Sequence, residues 1–150
     1  MPVITETVET DLPVEAAFDY VANFEHAVEW DPGVTSARKI TAGPAAAGTE
    51  YDLDLNYGGS PLSMVYRITE WDSPRRVVLE GDGDRSFTVD RISFRPTAQG
   101  TSVEYQADIR MKGIYRLAVP FLGRTFRRIV DGGAEGLDRR LRELSAEAGG

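Results

Sequence analysis

The stretch from Val34 to Gly113 constrains the fold most, because its apolar residues recur at every second position and turn residues interrupt it at short intervals. Successive side chains of a strand point to opposite faces. Tyr51, Leu53, Leu55 and Tyr57 therefore fall on one side, and Asp52, Asp54 and Asn56 on the other. Leu62, Met64, Tyr66 and Ile68 share a face in the next segment. Further on, Val103, Tyr105, Ala107, Ile109 and Met111 stand opposite Glu104, Gln106, Asp108 and Arg110. One apolar and one wet face is the pattern of an antiparallel sheet covered on a single side. The expected strands are 34–41, 49–57, 62–71, 76–80, 86–94 and 102–112, after a first strand within 3–11 rich in β-branched residues. Gly58-Gly59-Ser60-Pro61, Asp72-Ser73-Pro74 and Gly81-Asp82-Gly83-Asp84 read as hairpin links, so sequence neighbours should be spatial neighbours.

Such a sheet needs a cover, and only the last long stretch, 115–146, is large enough to supply it. Leu122, Phe126, Ile129, Val130, Leu137, Leu141 and Leu144 recur at steps of three, four or seven, which is one face of an amphipathic helix. Pro120 belongs near its first turn, where a missing donor costs little. Gly132, Gly133 and Gly136 interrupt it, although each glycine costs a helix about 1 kcal/mol relative to alanine. Two readings stay open. The glycines serve close packing of helix on sheet or weaken the helix locally; or they hollow its middle and leave room for a ligand. On the second reading Phe121, Leu122 and Phe126 anchor one end and Leu137, Leu141 and Leu144 the other.

Between the first two strands, Asp11 and Pro13 open a short helix whose apolar face is Val14, Ala17, Phe18 and Val21. A second helical piece, 24–29, is stopped by Trp30-Asp31-Pro32-Gly33, since the residue before proline is pushed out of the helical region. Trp30 is then either a buried corner or a side chain closing a pocket mouth.

Composition removes whole classes of chemistry. The 150 residues favour one domain. No cysteine is present, so thiol nucleophiles, disulfides and thiolate metal sites are excluded; a histidine triad or zinc site would rest on His26 alone. His26, in a short polar helical run, reads as an ordinary surface residue, and neither metal nor cofactor is expected. A net charge of −7 disfavours nucleic-acid binding. No window approaches the roughly 18 apolar residues of a membrane span, and the first residues lack a signal-peptide pattern. A cytoplasmic location without integral membrane association is therefore expected. Arg116, Arg124, Arg127, Arg128, Arg139, Arg140 and Arg142 cluster in the last stretch, as a solvated face or as a patch for an acidic partner.

The sixth strand changes phase: Phe87 and Val89 alternate in one register, Ile92 and Phe94 in the other. Either a bulge at Asp90-Arg91 keeps the charges near solvent, or a regular strand carries Arg91 to the side of Phe87 and Val89 and sets a polar group into a cavity wall. Tyr51, Tyr57, Tyr66 and Tyr105 on the apolar faces are either paired core hydroxyls or polar points within a pocket.

The order of strand, two short helices, six antiparallel strands and long final helix, with Trp30-Asp31-Pro32-Gly33-Val34, the run Ile68 to Glu80 and Gly100-Thr101-Ser102-Val103-Glu104-Tyr105, resembles the SRPBCC or START-like superfamily and its polyketide cyclase/dehydrase and lipid-transport group. The resemblance implies an α+β helix-grip fold, a curved seven-stranded antiparallel sheet wrapped round the C-terminal helix with a hydrophobic ligand cavity between. No residue set identifies catalysis across that group.

The expected function is binding of a small hydrophobic molecule, lipid-like or polyketide-like. Its candidate contacts are Trp30, Tyr51, Leu53, Leu55, Met64 and Tyr66 on one side, and Phe87, Val89, Tyr105, Ile109, Phe126, Val130 and Gly133 on the other. The alternative is a polyketide cyclase or dehydratase without metal or cofactor, in which Arg91 stabilises an enolate and Asp90, Tyr66 or Tyr105 moves the proton. A homodimer stays open.

Overall fold

A computed structural model describes residues 3–149. Its strands are β1 (Val3–Thr10), β2 (Val34–Lys39), β3 (Glu50–Tyr57), β4 (Ser60–Asp72), β5 (Arg76–Gly83), β6 (Ser86–Pro96) and β7 (Thr101–Met111). Helices α1 (Val14–Val21) and α2 (Ala27–Trp30) lie between β1 and β2, and α3 (Gly123–Gly149) closes the chain. All neighbours pair antiparallel in the order β1-β7-β6-β5-β4-β3-β2. This is the helix-grip arrangement, with α3 running against β1 and β7 and touching α2.

Several boundaries differ from the sequence reading. β5 continues through Gly81-Asp82-Gly83, so these residues are strand and only Asp84-Arg85 turns. α3 begins at Gly123; Gly113–Phe121, including Pro120, forms a separate 3₁₀ segment. Phe121 anchors nothing, for it is 84% exposed, and Ile114 and Leu117 beside it are equally bare. At Pro120 the missing N–H and fixed φ suit a short 3₁₀ piece better than a continuous helix.

β6 is regular. It pairs with β5 and β7 without a register shift, so no bulge lies at Asp90-Arg91. The shifts occur instead at Thr35 in β2 and at Thr69 in β4. The extra residue at Thr69 reverses the phase of β4, so that Trp71 joins Ile68 on the inner face, where its ring meets Phe18 edge-on at 4.9 Å.

The inner face is used in two ways along its length. At one end Val77, Leu79, Ile92, Phe94 and Val103 pack against Phe18 and Val21 of α1 and Leu137 and Leu141 of α3, a filled core. Burying each such side chain contributes about 1.5–3 kcal/mol. At the other end a smaller cluster of Ile4, Ile109 and Phe126 stands alone, with Met111, Leu122 and Val130 at its margin.

The α3 glycines explain where the helix can come close. A Cβ at Gly136 would collide with the carbonyl oxygen of Trp30, whereas one at Gly133 would meet only Asp31 and Trp30 atoms at 3.7–3.9 Å, and one at Gly132 only Pro32 at 3.7 Å. The close packing is therefore against the Trp30-Asp31-Pro32 corner rather than the sheet. Gly136→Ala is expected to cost about 1–3 kcal/mol through overpacking. Gly133→Ala should be neutral or stabilise by up to about 1 kcal/mol through helix propensity. Urea unfolding of both variants reads the difference, and equal losses would contradict this account.

Candidate functional site

Beyond the filled core, α3 and the inner face of the sheet enclose a cavity of about 290 Å³. Its roof is Leu122, Phe126, Ile129, Val130, Gly133 and Ala134 of α3. Leu53, Leu55, Leu62, Met64, Ala107 and Ile109 form the apolar wall, and Phe24, Ala27 and Trp30 close the side toward α2. Ser60, Arg85 and Thr125 line it while exposed to solvent, which places the mouth between the β3–β4 and β5–β6 hairpins and the start of α3.

Glycines let the lining side chains lie close to the backbone. Gly81 and Gly83 face inward on β5, and a Cβ at Gly81 would meet the ring of Tyr66 at 2.6 Å, while one at Gly83 would meet Met64 at 2.9 Å. Tyr66 and Met64 therefore lie across bare backbone. A Cβ at Gly33 would likewise collide with the ring of Tyr57.

The floor is polar. Regular pairing of β6 turns Thr88, Asp90, Ile92 and Phe94 inward, and Thr88 and Asp90 reach the cavity. Asp90 is 6% exposed, and the Tyr105 hydroxyl donates to its Oδ2 at 2.6 Å. Burial pushes the Asp90 carboxyl up to about 7, the Tyr105 hydrogen bond working against that rise and the charge of Asp31 adding to it. Asp31, at the α2–β2 corner, accepts the Gly33 backbone N–H on Oδ1 at 2.9 Å. Burial pushes it up to about 6, opposed by the hydrogen bonds from Gly33 and Tyr57. Tyr57, Tyr66 and Tyr105 are all raised, chiefly by burial and then by the neighbouring carboxylates, so their hydroxyls stay protonated donors. Glu6 lines the β1 side and pairs with Arg127 of α3 at 3.6 Å. Trp30 Nε1 and Thr88 Oγ1 are buried without a protein partner.

Most of the expected residues meet here: Trp30, Leu53, Leu55, Met64, Tyr66, Asp90, Tyr105, Ile109, Phe126, Val130 and Gly133 all line the cavity. Four do not. Arg91 follows inward Asp90, so it points to the outer face, where its Nη1 reaches Gln106 Oε1 at 3.4 Å. It cannot stabilise an enolate in the cavity. Phe87 and Val89 share that outer face by the same parity. Tyr51 faces inward but is wholly buried in the packed core.

The sequence reading missed Asp31, Thr88 and Ala107 as lining residues, while Tyr57, offered there as a core or pocket hydroxyl, lines the cavity. For Thr88 a signal existed, since the phase of Ile92 and Phe94 extends back through Asp90 to Thr88. For Asp31 none did, because Asp-Pro-Gly reads only as a turn. His26 stacks on Tyr20 with ring centroids 4.6 Å apart and lies outside the cavity. Among the described residues no cluster of acidic or histidine side chains could hold a metal ion, and no helix is long and apolar enough to cross a membrane.

A family model described as polyketide cyclase / dehydrase and lipid transport matches residues 1–142. Among solved structures, a START superfamily protein from Mycobacterium smegmatis aligns with TM-score 0.80 at 17% identity over 95% of this chain and 98% of its own. The protein TTHA0849 from Thermus thermophilus aligns with TM-score 0.79 at 19% identity, covering 97% and 99%. The Zhui aromatase/cyclase from Streptomyces sp. R1128 aligns with TM-score 0.70 at 12% identity, covering 94% and 96%. At these identities the likeness shows a shared fold. No curated protein sequence matches the chain.

The raised carboxyl gives a stability test. Below about pH 4 Asp90 is protonated in both folded and unfolded chains; between there and about 7 only the unfolded chain has lost the proton. Asp90 thus makes stability fall as pH rises through that window and then level off. Relative to Asp90→Asn, the wild-type Tm is expected to drop between about pH 4.5 and 7.5. Parallel Tm curves for the two proteins would contradict this.

Proposed function

The chain belongs to the polyketide cyclase / dehydrase and lipid transport family, and from that premise we propose that it binds a small hydrophobic molecule, lipid-like or polyketide-like, between α3 and the sheet. The observation that carries this reading is the cavity of about 290 Å³. It lies at the lower end of the roughly 300–1,000 Å³ typical of small-molecule pockets, and it has their composition, an apolar wall with a few convergent polar groups. A core under no such demand would have filled the space over Ala107 with a larger side chain.

A second reading is favoured by one contact, the 2.6 Å hydrogen bond from Tyr105 to Asp90. A carboxyl pushed up to about 7, joined to a phenol in a largely apolar cavity, is suited to take and return a proton beside a carbonyl substrate. On this reading the protein is a cyclase or dehydratase in which Asp90 moves the proton and Tyr105 or Tyr66 donates to the developing enolate oxygen. The aromatase/cyclase resemblance agrees with it at the level of fold alone.

Binding is tested by thermal shift against a panel of long-chain alcohols and polycyclic aromatics, with Ala107→Phe as a variant that fills the space. A ligand at a hundredfold excess over its Kd contributes about 2.7 kcal/mol. For a chain of this size that raises Tm by roughly 5–10 °C. The wild type should show such shifts and Ala107→Phe should lose them while staying folded by circular dichroism. Shifts that persist in folded Ala107→Phe would remove the cavity as the binding site.

A further inference from the structure

The charges around the cavity are unbalanced, and the imbalance selects a ligand. Glu6, Asp31 and Asp90 are its acidic lining residues, and Arg85 at the exposed mouth is the basic one among the described residues. Glu6 pairs with Arg127 at 3.6 Å and also faces Asp131 and Glu135 of α3, the Asp131 hydrogen bond and burial holding its carboxyl above the usual range. Asp90 and Asp31 have neutral partners only: the Tyr105 hydroxyl at 2.6 Å for one, and the Gly33 backbone N–H at 2.9 Å with the Tyr57 hydroxyl for the other. Asp31 Oδ2 lies directly under α3, 3.7 Å from where a Cβ of Gly133 would stand. None of the lining residues between Leu122 and Ala134 is titratable, and the remaining inward groups, Tyr57, Tyr66 and Tyr105, are neutral.

Two further observations on the same walls point to a ligand. Thr88 Oγ1, two residues before Asp90 on the same face of β6, is buried without a protein partner. Trp30 is 4% exposed and lines the cavity, and its ring meets Tyr105 edge-on at 6.1 Å; its unpartnered Nε1–H is a donor and calls for an acceptor on the ligand rather than for a cation. Asp90 is buried and Asp31 half-buried, and carboxylates drawn out of water without a cation are costly and attract a positive charge. Aromatic faces beside them attract the same charge.

We infer that the cavity takes an apolar molecule bearing a protonated amine, its ammonium received by Asp90 and Asp31 and its hydrocarbon part by the Leu53, Leu55, Met64 and Ile109 wall. This rests on the hydrophobic-binding reading and sharpens it, because it turns away an apolar acid of the same shape. An ammonium offers three donors, enough to serve both carboxylates and Thr88 Oγ1. A carboxylate ligand would meet two like charges with no cation between.

Three probes of one shape decide it: 2-(1-naphthyl)ethylamine, 2-(1-naphthyl)ethanol and 1-naphthylacetic acid, each titrated calorimetrically into the full chain at about pH 8 and about pH 5. The amine is expected to bind at least tenfold tighter than the alcohol at the higher pH, with the acid weakest. Its preference should shrink at the lower pH as Asp90 and Asp31 take up protons, and vanish in Asp90→Asn. Arg91→Gln on the outer face should keep the preference. Equal binding of amine and alcohol, or tightest binding of the acid, would overturn the inference while leaving hydrophobic binding in place. If none of the three binds to folded wild type, both fall. A preference surviving in Asp90→Asn and in Asp31→Asn would assign the amine to another site and overturn the inference too.

Discussion

At Gly136 the backbone of α3 rests against the carbonyl of Trp30, and no side chain fits between them. That contact fixes the height of the helix over the sheet. On its C-terminal side Leu137 and Leu141 reach down into the core formed with Phe18 and Val21. On its N-terminal side Tyr66 and Met64 lie flat across Gly81 and Gly83 of β5 and β7 offers only Ala107, so a gap remains that Phe126 and Val130 roof without filling. One rigid helix, seated at one end and held off at the other, yields a packed half and a hollow half. The hollow is thus a product of the same spacing that completes the core.

The polar floor exists because β6 stays regular. A bulge at Asp90 would have turned the carboxyl outward and saved the cost of burying it. Instead continuous pairing on both edges holds Asp90 inside, and Tyr105 on the adjacent strand supplies the one hydroxyl that reaches it. Burying a carboxyl works against stability above its unfolded pKa, so the arrangement makes sense as a property of the site rather than of the fold. Natural proteins concentrate such locally unfavourable choices where they bind or react.

Much of this was legible in the sequence. Alternation in β3, β4 and β7 fixed which residues face inward, and the steps of Leu122, Phe126, Val130, Leu137 and Leu141 identified the covering helix. Of the eleven expected site residues that line the cavity, nine do so for that reason, the others being Trp30 at the α2 corner and Asp90 on β6. Where the reading failed, two alternating patterns competed. Phe87 and Val89 are as apolar as Ile92 and Phe94, and only hydrogen-bonded partners on both sides decide which pair faces in. Tyr51 shows a different limit, since parity tells the face but not whether the space beside it is filled. Asp31 was hidden by its turn, and the break between the 3₁₀ segment and α3 by apolar spacing that continues across Pro120.

α3 and the sheet enclose a largely apolar space whose floor is the Asp90 carboxyl. The most direct measurement is a carbon-13 NMR titration of that carboxyl in the wild-type protein. The account predicts a midpoint near 7, from burial outweighing the Tyr105 hydrogen bond. A midpoint near the ordinary value of about 4 would mean that Asp90 is well solvated or faces outward, and would contradict it.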